Sequence, residues 1–191
     1  MKAANALLDR VGRRSVQLLG EIGYAAMLFV ESLYFIGAGW ARGQPVRPRM
    51  VAEQMRQIGV DALPIISLLS LTIGVMLGIQ FIAALSEFGA ESQVIIATAK
   101  SITREFGALI TAIVVAGRTG SALAARLGSM VVSQEVDALA VTGIDPVRYL
   151  VAPALLAMLV MVPVLTVFAN LVALTGAGLY ASGRLDMGVS A

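Results

Sequence analysis

The sequence predicts an all-α polytopic membrane protein, and three observations carry that prediction. Its 191 residues are 58% hydrophobic and only 14% charged, their mean hydropathy is +0.86, and the charges cluster between long apolar runs. A soluble domain carries about a quarter charged residues, so charge this sparse cannot cover a water-exposed globule. The chain has no cysteine and no histidine. Disulfide frameworks, Cys/His metal sites and histidine-dependent nucleophiles are thereby excluded, and no catalytic residue or cofactor is expected in this chain. A net charge of +2 is too small for a nucleic-acid protein and suits a membrane protein with basic loops.

The charges mark out the spans. None occurs between Asp61 and Glu87. That run, 62–86, exceeds by about five the roughly twenty residues a bilayer requires, with Pro64 in a first turn where a missing N–H does no harm. A second charge-free run lies between Arg148 and Arg184. It is too short for two spans and a turn, so one tilted helix is expected over 152–178, with Pro153 near its start and Pro163 as a kink.

The middle segment, 92–117, is apolar enough to span but carries Lys100, Arg104 and Glu105 near its centre. Charges at that depth are costly and usually face a bundle interior or a wet cavity. The alternative register, 106–125, leaves the three at the interface and buries Arg118 instead. Lys100 and Arg104 share a helical face and repel, while Arg104 and Glu105 point about 100° apart. The helix thus presents positive charge that its own sequence does not neutralise. A lipid phosphate fits it, with acyl chains along Val75, Ile79 and Ile82 of the first span. In that arrangement Arg104, helped by Lys100, meets the headgroup and Glu105 holds a structural or gating contact. A structural ion-pair network between helices is the competing role.

Residues 11–40 mix apolar side chains with Glu21 and Glu31 and end at Trp40. An amphipathic helix in the interface, anchored by Tyr24, Tyr34 and Trp40, suits this pattern better than a span. No cleavage site follows a compact apolar core, so a signal peptide is not expected. Residues 1–60 hold eight of the basic residues, the loop 86–91 holds only Glu87 and Glu91, and 118–148 returns Arg118, Arg126 and Arg148. The positive-inside rule places the N-terminus and 118–148 in the cytoplasm and the 86–91 loop outside.

Segment 118–148 is too polar to span and too apolar for a plain loop. Gly117, Gly120 and Gly128 are expected as bends or close-packing points. A short helix is predicted over 129–141, carrying Glu135 and Asp137, with Gly143 as its C-terminal cap. Asp145 then caps the next helix, with Pro146 at its first position. A short exposed helix of this kind suits docking of a soluble partner. In the first span, Gly74 and Gly78 form a G-x-x-x-G that serves either internal packing or a dimer.

REFGALITAIVVAGRTGSALAARLGSM, followed by QEVDALAVTGIDPVRYLVAP, and GIQ at 78–80 closely resemble the MlaE/YrbE-type permease subunits of Mla, Mce and TGD lipid-transport ABC systems. The resemblance covers essentially the whole chain. It implies an N-terminal interfacial helix, five membrane helices, and a coupling helix between the second and third. It further implies a homodimer in the inner membrane, bound to two cytoplasmic ABC ATPases and to an MCE-domain substrate-binding protein outside, with lipid, usually phospholipid, as cargo. Such permeases normally continue for about two helices beyond the position of Ala191, so three spans of the five are expected in this chain. Arg126 stands where the family usually has Glu, Ala108 where it has Pro, and Ala154 where it has a basic residue. The reversal at Arg126 puts in doubt any ion pair carried over from that position.

A phosphate-binding loop needs G-x-x-x-x-G-K-[ST], and the only lysines are Lys2 and Lys100. ATP and Mg²⁺ are therefore expected on a separate subunit. Energy must arrive through a cytoplasmic contact, for which Glu135, Asp137 and Leu139 are the candidates. A secondary transporter, which would need midplane ion sites in paired repeats, and a non-transporting scaffold are the alternatives.

Overall fold

The computed structural model describes residues 2–41 and 47–185. Eight α-helices follow one another without strands among these residues: α1 (Lys2–Ala41), α2 (Pro48–Ile58), α3 (Leu63–Ser86), α4 (Val94–Ser101), α5 (Gly107–Val114), α6 (Gly120–Val132), α7 (Glu135–Val141) and α8 (Ala152–Leu185). Wide π-helical turns join several of them. Ile102–Phe106 links α4 to α5, Val115–Thr119 links α5 to α6, and Val147–Val151 leads into α8. Each of the three turns contains an arginine.

Four helical stretches are long and apolar enough to cross a membrane by length and composition: Gly12–Gly37, Pro48–Ser86, Val94–Val132 and Val147–Gly183. That is one more than the three spans expected, and the addition is α1. Its apolar stretch reaches a mean hydropathy of 1.4 despite Glu21 and Glu31. Of its described side chains only Ser32 is buried.

α3 and α8 form the principal interface. They run parallel, since Gly74 meets Ala173 and Gly78 meets Ala177. An added Cβ at Gly74 would overlap the Ala173 carbonyl, so only glycine permits this approach. The G-x-x-x-G therefore serves packing inside the chain. Around it, Ile58, Ile66, Ile110, Val114 and Leu165 form one apolar cluster, and Leu77, Ile102, Ala173 and Ala177 a second.

Large apolar residues elsewhere point outward, among them Leu68, Leu109, Ile113, Val164 and Leu171. Several hydroxyls within the apolar helices bond to their own helix: Thr98 Oγ1 donates to the Val94 carbonyl at 2.8 Å, Thr111 Oγ1 to Gly107 at 2.9 Å and Thr166 Oγ1 to Val162 at 2.9 Å. That self-satisfaction is what a hydrocarbon surround demands. An apolar exterior and hydroxyls satisfied within their own helices together describe a chain built for lipid.

Two expectations need correction. Helix does not break at the glycines after the expected span 92–117 but continues from Val94 to Val132, roughly 58 Å at about 1.5 Å per residue. Gly117, Gly120 and Gly128 lie inside it, with nothing within 4 Å of an added Cβ. They are neither bends nor close-packing points in this chain. The helix expected over 129–141 is instead divided at Ser133–Gln134, where Gln134 takes a left-handed φ of 59°.

Candidate coupling surface and charged clefts

The break before α7 is made by local polar chemistry. Ser133 Oγ shares its one proton between the Ser129 carbonyl at 3.0 Å and Glu135 Oε1 at 3.1 Å, the second of these linking the end of α6 to the start of α7. α7 then runs for seven residues, none of them buried. Its end is a Schellman cap: the Gly143 N–H donates to Ala140 at 3.0 Å and the Ile144 N–H to Leu139 at 2.9 Å. Gly143 supplies the left-handed residue with φ 75°. Asp145 restarts the helix at once, its Oδ1 accepting from the Val147 N–H at 2.9 Å and the Arg148 N–H at 3.4 Å, with Pro146 behind it.

α7 is thus a short helix held between two defined breaks. Glu135 and Asp137 are exposed and Leu139 is half-buried. Glu135 and Leu139 border a shallow hollow of about 440 Å³ shared with Met50, Arg126, Met130 and Tyr149.

Two further clefts lie between α2, α6 and the start of α8, and neither was anticipated from the sequence. The one nearer the spans, about 310 Å³, carries Arg56, Asp61, Arg118 and Arg126. The other, about 470 Å³, carries Arg47, Arg49, Glu53, Arg126 and Tyr149. Gln54, Leu123 and Arg126 line both. Glu53 Oε1 accepts from Arg56 Nη2 at 2.9 Å and from Gln57 Nε2 at 3.1 Å. These bonds, with the Arg56 charge and a smaller contribution from Arg126, hold the Glu53 carboxyl below its ordinary value. Arg126 and Glu53 line the same cleft. The Arg47 guanidinium lies 5.9 Å from the Tyr149 ring centroid, and Arg118 Nη1 donates to the Gln57 carbonyl at 3.5 Å. Ala154, 1% exposed, walls the inner cleft with its short side chain. Pro48 at the start of an amphipathic α2 was the available signal; the convergence with α6 needs the tertiary fold.

Lys100, Arg104 and Glu105 are all exposed, whereas Thr98 and Ile102 on the same helical stretch are buried. Arg104 and Glu105 sit in the π turn Ile102–Phe106, a feature that often marks functional positions. None of the three side chains makes a hydrogen bond or ion pair among the described residues. Of the expected acyl-chain contacts, Ile79 is exposed and Val75 and Ile82 are half-buried. Val75 leans on Gly176. No hydrogen bond, ion pair or core cluster of the described residues joins Val75, Ile79 or Ile82 to the charged three.

The family model for the permease MlaE matches residues 51–191. The chain belongs to the MlaE permease family. Within that family it is 36% identical over 175 residues to the intermembrane phospholipid transport system permease protein MlaE of Haemophilus influenzae, covering 90% of this chain and 64% of the relative. It is 28% identical over 188 residues to a probable ABC transporter permease of Rickettsia bellii, covering 96% and 69%. TRIGALACTOSYLDIACYLGLYCEROL 1, a chloroplast protein of Arabidopsis thaliana, shares 36% over 131 residues, covering 69% and 37%. The MlaE match begins inside α2 and takes in α3 through α8, so the coupling segment and both arginine clefts belong to the family region, apart from Arg47, Arg49 and Met50.

Proposed function

We propose that this MlaE-family chain is the membrane permease subunit of an ATP-driven lipid transporter. Two copies cross the bacterial inner membrane and move phospholipid between it and an outer MCE-domain protein. The N-terminus, the start of α2 and the end of α6 face the cytoplasm, in keeping with the distribution of arginines. α1 lies along the interface, in keeping with Glu21 and Glu31 on its length.

One observation carries this reading: α7 is an exposed helix, isolated by the left-handed Gln134 on one side and the Gly143 cap on the other. An element so delimited can be pushed by a soluble partner and pass the displacement to α6 and, through the Asp145 cap, to α8. Glu135, Asp137 and Leu139 make the contact, and Gly143 fixes the angle at which the helix is offered. ATP and Mg²⁺ are held by the partner ATPase, and this chain performs no hydrolysis itself.

Lipid passes along the face bearing Lys100 and Arg104, with Glu105 as a positioning contact and Val75, Ile79 and Ile82 as apolar wall. The test is purification of the tagged protein from native membranes, followed by lipid-stimulated ATP hydrolysis. Retention of an ATP-hydrolysing subunit supports the proposal. A protein that transports lipid with no such subunit attached overturns it.

A further inference from the structure

The paired clefts between α2, α6 and the start of α8 have a composition that coupling to an ATPase does not require. Five arginines (Arg47, Arg49, Arg56, Arg118 and Arg126) border them against two carboxylates, Glu53 and Asp61. Glu53 is already engaged by Arg56 and Gln57. Arg49 and Arg126 make no hydrogen bond or ion pair among the described residues, so the clefts carry cationic charge with forked donors to spare.

Their other wall is apolar: Leu123, Leu127, Leu150, Pro153 and Met158. The depth is equally telling. Asp61 is the last charge before the first apolar run, Arg118 the first charge after the second, and Ala154 and Met158 lie two and six residues into the third. Three helices thus bring their water–hydrocarbon boundaries to one place. A group held there meets guanidinium on one side and aliphatic side chains on the other.

We propose that these clefts bind the headgroup of an anionic phospholipid from the cytoplasmic leaflet, as a resident lipid distinct from the transported one. Arg49 and Arg126 contact the phosphate, since a guanidinium fork matches phosphate oxygens. Arg47, braced on Tyr149, closes the outer side. The first acyl carbons lie on Leu123 and Leu127. Basic pockets at cytoplasmic helix ends select anionic lipids for this reason. Because α6 leads directly to α7, an occupant here ties the coupling segment to the bilayer surface.

The experiment is photo-cross-linking of the purified full-length protein in nanodiscs, using photoactivatable phosphatidylglycerol or phosphatidylcholine, with labelled peptides mapped by mass spectrometry. Phosphatidylglycerol is expected to label 123–130 and 147–153 in preference to phosphatidylcholine, and millimolar inorganic phosphate leaves that labelling in place. Arg49→Gln with Arg126→Gln lowers it roughly tenfold or more, while Arg104→Gln leaves it unchanged. Equal labelling by the two lipids overturns the proposal. Displacement by free phosphate shows a soluble-anion site instead. A double variant that keeps its lipid label but loses a soluble partner assigns the clefts to that partner. Should the double variant fail to fold, the unaltered protein decides: its phosphatidylglycerol preference must fall as salt is raised.

Discussion

Gly74 of α3 packs against the backbone of Ala173 of α8 so closely that even one methyl group would overlap the Ala173 carbonyl. Gly74→Ala must therefore push two parallel helices apart. The expected cost is about 1–3 kcal/mol, larger than the gain of about 1 kcal/mol from replacing glycine within a helix. Gly178→Ala is the control, because nothing lies within 4 Å of its Cβ position and it retains only the gain. Thermal melts in detergent should move in opposite directions for the two variants. A Gly74→Ala protein as stable as the Gly178→Ala protein would show that the α3–α8 seam is looser than the structure has it.

How much of this was legible in the sequence depends on how local the cause is. The Gly143 stop and the Asp145-Pro146 restart are short-range capping chemistry, and both can be read from a few residues. The outward apolar surface follows from composition. The continuation of helix to Val132 was hidden because Gly117, Gly120 and Gly128 look like breakers. Each costs about 1 kcal/mol against alanine in a helix, too little to stop one whose other residues, among them Ala122, Leu123, Ala124, Ala125 and Leu127, are strong helix formers. The arginine clefts were hidden for a different reason. Arg49 and Arg126 are 77 positions apart in the chain, and only the antiparallel approach of α2 and α6 brings them together. Lys100, Arg104 and Glu105 were visible as charges, but their outward aim depends on which face of the helix packs on α8.

Reversing α7's acids separates docking from folding. Glu135 and Asp137 are exposed, so Glu135→Lys with Asp137→Lys should leave the melting temperature within a few degrees, as surface substitutions do. Partner retention and lipid-stimulated ATP hydrolysis are expected to fall at least tenfold. Full retention with both charges reversed would remove α7 from the coupling role.

The hinge residues give a second handle on the same helix. Gly143→Val places a β-branched residue at φ 75° and should cost about 1–2 kcal/mol locally. Gln134→Gly relieves a left-handed non-glycine residue at φ 59° and should recover a comparable amount. Hydrogen exchange at 138–144 reads both: faster in the first variant, slower in the second. Identical exchange in the two would mean that the caps do not hold α7.

Glu53 offers a pH readout. Arg56, then Gln57, hold its carboxyl below the ordinary value. A carboxylate with a depressed folded pKa stabilises the fold above its unfolded pKa, and that contribution is lost as pH falls through the folded value. Because the pair is exposed at the surface, its effect on stability is small, and the titration itself is the measurement. By NMR, Glu53 should titrate below the ordinary glutamate midpoint, and Arg56→Gln should raise it. A midpoint indifferent to Arg56→Gln would mean that the pair does not persist in solution.

Arg104 distinguishes a substrate contact from a structural ion pair by the sign of its effect on stability. It is exposed and has no hydrogen bond or ion pair among the described residues. A structural partner would come from a second copy or from another helix outside the described residues. Breaking such a buried pair costs about 3–5 kcal/mol, so Arg104→Gln would then weaken folding or assembly before anything else. If a lipid phosphate is the partner instead, the empty protein holds an unneutralised guanidinium at a depth where insertion scales charge about 2.5–3.5 kcal/mol. Removing it should leave stability unchanged or raise it, while cross-linking of phospholipid probes at Ile79 and transport fall together. The expected result is the second: a melt equal to or above the unaltered protein, intact partner binding, and lipid capture lowered about tenfold. A variant that melts lower and dissociates, yet still captures lipid at Ile79, assigns Arg104 to the architecture instead of the path.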